Sequence, residues 1–199
     1  VVDPDITRDF RRLSRICRQF GPGVEVIINN VCYRNCAYKM FHYNHEAHST
    51  SVNGNQEVND YYINRCAMQK AGNLLHVLRL NWIRPEDLHH YLKIGMQFFK
   101  IQGRQNVLPG KPGKTVEYYM QESFEGNLYD LITLFAPYTS FQPYIENKKL
   151  DHFIDPFMED PDFCKNNCDT CGYCETYGKK CLDLHKAEKL NKAALAYFQ

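Results

Sequence analysis

Across 199 residues the chain carries 24 Lys and Arg against 23 Asp and Glu, a net charge of +1, with 44% hydrophobic and 14% aromatic residues. This composition supports a packed core and excludes a disordered chain. The near balance of charge offers no global field for nucleic acid or an anionic membrane, although a local basic groove stays open. No apolar run is long enough to span a bilayer.

The opening "VVDPDITRDF" reads as the end of an apolar strand entering a helix cap, with neither an initiator Met nor a signal peptide. On that reading the beginning of the protein lies outside this chain. Ile6, Phe10, Leu13, Cys17 and Phe20 form a helical stripe over 5–20, closed by Gly21. "VEVIINN" follows as a short buried strand, then a long loop over 31–60 of the kind that carries sites. "YYINRCAMQKAG" fits a weak helix and an extended piece equally. "LLHVLRLNW" reads as a strand and "RPEDLHHYLKIG" as a helix, with Pro85 in its first turn, Glu86 and Asp87 complementing the dipole and Gly95 as the stop. "MQFFKIQGR" is a strand again. "TVEYYMQESFEGNLYDLITLF" is one helix broken near Gly126, or two shorter ones. This alternation predicts a parallel α/β fold over 1–136. From Pro137 the chain turns Pro- and aromatic-rich, giving a Cys-rich tail over 137–199. An amphipathic helix closes it, with Leu184, Leu190, Ala194 and Tyr197 on one face.

Nine cysteines is an odd number. In a chain of this length with its own core, that favours metal-binding thiols in a reducing compartment, the cytoplasm, over a disulfide framework. Cys17 sits on the helical stripe as a small core residue. Cys32 and Cys36 flank "YRN" directly after a strand, where sites of α/β sheets and barrels gather, and Cys66 alone reads as structural. The tail run "CKNNCDTCGYC" places Cys164, Cys168, Cys171 and Cys174 at metal-ligand spacing, with a Gly in the turn, and Cys181 follows. Structural zinc favours two well-separated pairs, whereas iron–sulfur clusters accept closely stacked C-x-x-C-x-x-C runs. The tail by itself suits both metals, and the upstream thiols tip the balance to iron.

"FHYNHEAHS" clusters His42, His45 and His48. "HEAH" lacks the helical turn between its histidines that a zinc-protease signature needs. These residues are therefore polar loop positions, or groups for substrate binding and proton transfer. No G-x-S-x-G elbow and no convincing Cys–His pair is present.

Together, "INNVCYRNCAYKMFHYNH", "NRCAMQK", "WIRPEDLHHYLKIGMQFFKIQGR", "EGNLYDLI" and "CDTCGYC" resemble the peptidase U32 (collagenase-like) family from about Asp3 to Lys179. The resemblance implies a TIM-type (β/α) barrel of which this chain holds the later strands, with a Cys-rich C-terminal appendage. A second polypeptide or an oligomer would complete that barrel. It also implies oxygen-independent hydroxylation or modification of a small aromatic molecule or an RNA base, on a 4Fe–4S cluster held by dispersed cysteines. The matching positions are Cys32, Cys36 and Cys66, with one or more of Cys164, Cys168, Cys171 and Cys174. A second cluster, or a zinc ion, in the tail is the alternative for the surplus thiols. The other readings are a U32-type peptidase and a non-catalytic, zinc-stabilised RNA-binding or scaffold module.

Within that frame His42, His45 and Lys100 are the catalytic candidates. Lys100 alternates with Phe99 and Ile101, so it is expected to point into the barrel mouth or interior. Arg34, Asn44, Arg84 and Arg104 are candidates for binding substrate, with Arg79 also placed to meet an anion. Tyr33, Tyr38, Phe41 and Tyr43 crowd the cysteine loop, either to stack a flat ring or to shield a cluster from water.

Overall fold

The computed structural model describes residues 1–51, 61–103, 111–132, 144–165 and 167–198. A 3-10 turn at Pro4–Ile6 precedes helix α1 (Phe10–Phe20). Asp9 caps α1 by accepting the Arg12 backbone N–H at 2.9 Å, and Gly21, at φ 70°, ends it. Phe10, Leu13 and Cys17 of the expected stripe are buried, while Phe20 is exposed.

The expected strand at 24–30 is two strands joined at a bend. β1 (Glu25–Ile27) pairs in parallel with β4 (Phe98–Lys100), Val26 opposite Phe99. β2 (Asn29–Tyr33) pairs antiparallel with β3 (Leu80–Trp82), through a register shift between Asn29 and Tyr33. Ile28 stands at the bend and serves both neighbours. Its N–H donates to the Lys100 carbonyl at 3.0 Å and its carbonyl accepts from the Ile83 N–H at 2.8 Å. The buried amide of Asn29 continues the ladder toward β4, donating to and accepting from the Gln102 backbone at 3.1 and 2.9 Å.

The long loop expected at 31–60 is shorter than its sequence suggests. After a turn with Asn35 at φ 52°, a helix α2 forms over Lys39–Ser51, a stretch without Gly or Pro. The undecided piece is helix α3 (Tyr61–Gly72). The strand expected at 74–82 is mostly a 3-10 segment, Leu74–Arg79, leading into β3. Asn73 starts it by accepting the Leu75 N–H at 3.0 Å, a local side-chain bond that competes with an extended backbone. α4 (Leu88–Lys93) follows a 3-10 turn at Pro85–Asp87 and stops before Gly95 at φ 95°, as expected. α5 (Pro112–Met120) and α6 (Leu128–Ile132) are two helices separated at Gly126. That residue adopts φ 149°, and a Cβ there would meet the Phe124 ring at 2.9 Å.

In the tail come α7 (Asp155–Glu159), α8 (Cys168–Cys171), α9 (Tyr173–Cys181) and α10 (Leu184–Phe198). Ile145, Leu150, Phe153, Phe157 and Leu182 share one core with Leu13, Leu78, Trp82 and Tyr91. Isolated bridges tie Asn127 to Glu146 and Ile145 to Leu182. None of the described helices is long and apolar enough to cross a membrane.

Arg84 holds the two parts together. Its side chain is 1% exposed and grips the Asp87 carboxylate in a fork, at 3.0 and 2.8 Å. Nη1 donates to the Asn147 carbonyl at 2.8 Å and to Asp151 at 3.1 Å. Burial works against the charge, but the bonds to Asp87 outweigh it and lift the Arg84 pKa above its ordinary value. Sequence placed Arg84 among substrate-binding residues; its donors are committed to the fold. Leaving either charge of such a pair buried without its partner costs about 3–5 kcal/mol. Asp87→Ala is therefore expected to lower stability by about that amount in urea unfolding, and a loss under about 1 kcal/mol would contradict the role assigned to the pair.

Candidate functional site

Seven of the nine cysteines divide between two cavities that share no lining residue, while Cys17 and Cys181 are buried in the core. The first, about 150 Å³, holds the thiols of Cys32, Cys36 and Cys66. Cys32 rides on the end of β2, where Asn30 accepts its backbone N–H at 2.9 Å and pulls the strand out of regular pairing. Cys36 follows the Asn35 turn, and Cys66 comes from α3. Burial raises the Cys32 pKa, Lys70 opposes it, and the neighbouring thiols of Cys66 and Cys36 add to the rise. Tyr33, Tyr38, Tyr43 and Tyr62 wall this cavity together with His42, Lys39 and Lys70. The His42 ring stacks on Tyr62 at 6.1 Å and lies 3.7 Å from Glu46. The Tyr33 hydroxyl is buried without a hydrogen-bond partner among the described residues, and burial raises its pKa.

The second cavity, about 190 Å³, is lined by Cys164, Cys168, Cys171 and Cys174. Gly172 separates α8 from α9 in the left-handed conformation, φ 63°, and its N–H donates to the Cys168 carbonyl at 3.3 Å. The turn thus presents Cys168 and Cys171 before the glycine and Cys174 after it to one space. Phe157, Phe163 and Tyr173 form an aromatic wall; the rings of Phe163 and Tyr173 meet edge to face at 4.9 Å. Arg79 closes one side, donating to Glu175 at 2.8 Å. α9 reaches this position because Gly178 admits Leu75, whose side chain would lie 2.8 Å from a Cβ. Burial pushes the Cys174 thiol up to about 11 despite the nearby Arg8, and raises Cys168 despite Arg79.

The remaining candidates fall elsewhere. His45 packs its ring edge-on against Tyr62 at 5.7 Å, outside the lining of both cavities. Asn44 is exposed on α2. Arg34 donates from Nε to the Asp5 carbonyl at 2.9 Å, and its buried Nη1 finds no partner among the described residues. Lys100, expected at the barrel mouth or interior, is 48% exposed and lies 3.8 Å from Glu25, because one face of β4 carries Phe98 and Lys100. Arg104 lies outside the described residues. Sequence reasoning missed Arg8 and the wall of Phe157, Phe163 and Tyr173, and only the C-x-x-C run pointed at that place.

Among the described residues no three His, Cys, Asp or Glu side chains are gathered for a single metal ion. A tetrahedral zinc draws its sulfurs to about 2.3 Å from one point. An iron–sulfur cube instead takes its thiolates at separate iron corners, and several cysteines lining one cavity are compatible with that demand.

The fold and these cavities define a mixed α/β protein with two separate thiol-lined sites. No family model matches the chain, and no solved structure matches it. A protein of Methanocaldococcus jannaschii named as an uncharacterized protease is 26% identical over 181 residues, covering 91% of this chain and 52% of its own length. The chain thus spans about half the length of that relative. This match is consistent with the peptidase U32 family that the motifs resemble.

If burial governs the thiols of the metal-free, reduced protein, Cys174 at a pKa of about 11 holds about a hundredfold less thiolate at pH 8 than an ordinary cysteine. Iodoacetamide labelling followed by peptide mass spectrometry is expected to find Cys174 modified far more slowly than exposed Cys171 at pH 8, with its rate rising steeply toward pH 10. Equal rates at pH 8 would refute the buried environment.

Proposed function

We propose that this chain is the cluster-bearing part of a U32-type redox protein that modifies a flat aromatic molecule or a nucleobase without oxygen. The observation that carries the reading is the convergence of Cys32, Cys36 and Cys66, distant in sequence, on one tyrosine-walled cavity. These are the positions that match the family's cluster ligands, and three part-buried thiols lining one cavity serve better as ligands than as a nucleophile with a dedicated base. When bound, a 4Fe–4S cluster would supply one-electron chemistry. The chain's own residues would seat the substrate beside it. The tyrosines offer ring faces for stacking, Lys70 offers positive charge while Lys39 is held by Asp3 and Asp5, and His42, half-buried against Glu46, can hold a proton at its ring nitrogen. The parallel β1–β4 pair supports the barrel reading, with the rest of the barrel supplied by further polypeptide, and the tail thiols leave a zinc ion there as the alternative to iron.

A second reading has one observation in its favour: His42 shares the cavity with the three thiols, the neighbourhood a cysteine protease would need. Anaerobic purification with iron, sulfide and zinc quantitation separates the two. Cys32→Ala with Cys36→Ala is expected to remove about four iron and four sulfide per chain and the visible absorption that goes with them. Unchanged iron, together with casein hydrolysis abolished by His42→Ala, would replace the redox reading with the protease.

A further inference from the structure

Arg8 is the least expected charge in the molecule. It is 6% exposed, and its guanidinium lies over the rings of Trp82, Phe153 and Phe157 at 4.6, 5.1 and 5.5 Å. Nη1 donates to the Leu78 carbonyl at 2.7 Å, whereas Nε and Nη2, both buried, find no hydrogen-bond partner among the described residues. Among the described residues it forms no ion pair with a carboxylate. Burial lowers its pKa, and of the groups that oppose this Cys174 acts most strongly, followed by Tyr91 and Cys164. A guanidinium stays charged at any ordinary pH, and a buried charge requires an opposite one. Aromatic faces offset only part of that demand.

Phe157 connects this cation to the tail cavity: one ring packs on Arg8 and also forms part of the wall around Cys164, Cys168, Cys171 and Cys174. Phe157 thus sets the unpaired cation next to the cavity that the four cysteines line. As thiolates around an iron–sulfur cube they form a centre with net negative charge. We propose that the tail is a self-sufficient second metal centre, a 4Fe–4S cluster held by Cys164, Cys168, Cys171 and Cys174, with Arg8 as the positioning residue that balances its charge. The stacked C-x-x-C-x-x-C spacing and the spread of the sulfurs around a cavity favour the cube over one zinc ion. None of Cys32, Cys36 and Cys66 lines this cavity, so the tail centre stands whether or not the upstream thiols bind metal.

The test uses the full chain, purified and reconstituted anaerobically with ferrous iron and sulfide. Cys168→Ala with Cys171→Ala is expected to remove about four iron and four sulfide per chain, while Cys32→Ala with Cys36→Ala leaves that set in place. Followed by electron paramagnetic resonance during a redox titration, Arg8→Met is expected to move the remaining tail signal to a more negative potential, because the oxidised form carries less negative charge to balance. Arg8→Lys, which keeps the charge, is expected to move it less. One zinc per chain without sulfide, lost with the tail cysteines, would overturn the cube. Loss of the same iron from both cysteine pairs would overturn the separation of the two centres, and an unchanged potential in Arg8→Met would overturn the role of Arg8.

Discussion

The docking of the Cys-rich tail depends on a buried fork of charge. Arg84 and Asp87 sit at the start of α4 and would be costly to bury alone. The geometry satisfies them through each other and through the backbone of Asn147 and the carboxylate of Asp151. Glu86 reaches the same place from the adjoining position, accepting from the Phe124 N–H, the Asn147 amide and Lys148. These bonds run from the 84–87 turn to the 147–151 segment, so the Cys-rich tail docks in one orientation. Apolar packing alone is non-directional and would not choose that orientation; the fork and its acceptors supply the direction.

Once the tail is docked, its aromatic residues become structural partners of the first part. Phe153 stacks on Trp82 at 5.7 Å and on Tyr173 at 5.6 Å, and the Tyr173 hydroxyl returns to the Phe153 carbonyl at 3.0 Å. This layer packs the tail cysteines Cys164 and Cys174 against the main core and carries Arg8 over the rings of Phe153 and Phe157. The two cavities then lie on either side of Tyr33 and His76. Tyr33 lines the upstream cavity with its ring edge-on to His76 at 6.0 Å, and His76 lies 3.9 Å from Glu175 at the tail cavity. Burial and the adjacent Arg79 lower the His76 pKa, which favours its neutral ring between the two sites.

Local sequence marked the elements whose causes are local. The α1 stripe, the Gly21 and Gly95 stops, the Pro85 start and the break at Gly126 all follow from residues within a few positions of the feature. It misjudged elements decided by competition. The 74–82 stretch is apolar enough for a strand, yet the Asn73 cap winds most of it into a 3-10 segment. The 31–60 stretch looked like a loop because its polar, aromatic and histidine residues carry no clean period, although nothing from Lys39 to Ser51 interrupts a helix. The burial of Arg84 and the exposure of Lys100 could not be read locally: burial of a charged side chain follows from its partners, and Asn147 and Asp151 for Arg84 and Glu25 for Lys100 are remote in sequence.

By itself, then, the sequence determined how the thiols are grouped along the chain. The short-range spacing of Cys164, Cys168, Cys171 and Cys174 around one glycine is enough to aim sulfurs at a common space, wherever that space lies. Only the tertiary structure decided that Cys32, Cys36 and Cys66 meet, that they meet apart from the tail thiols, and that a buried arginine stands beside the latter. Each of these arrangements joins residues tens of positions apart. Such contacts are selected by the packing of whole elements and by the need to satisfy every buried charge, neither of which is written in any local window of residues.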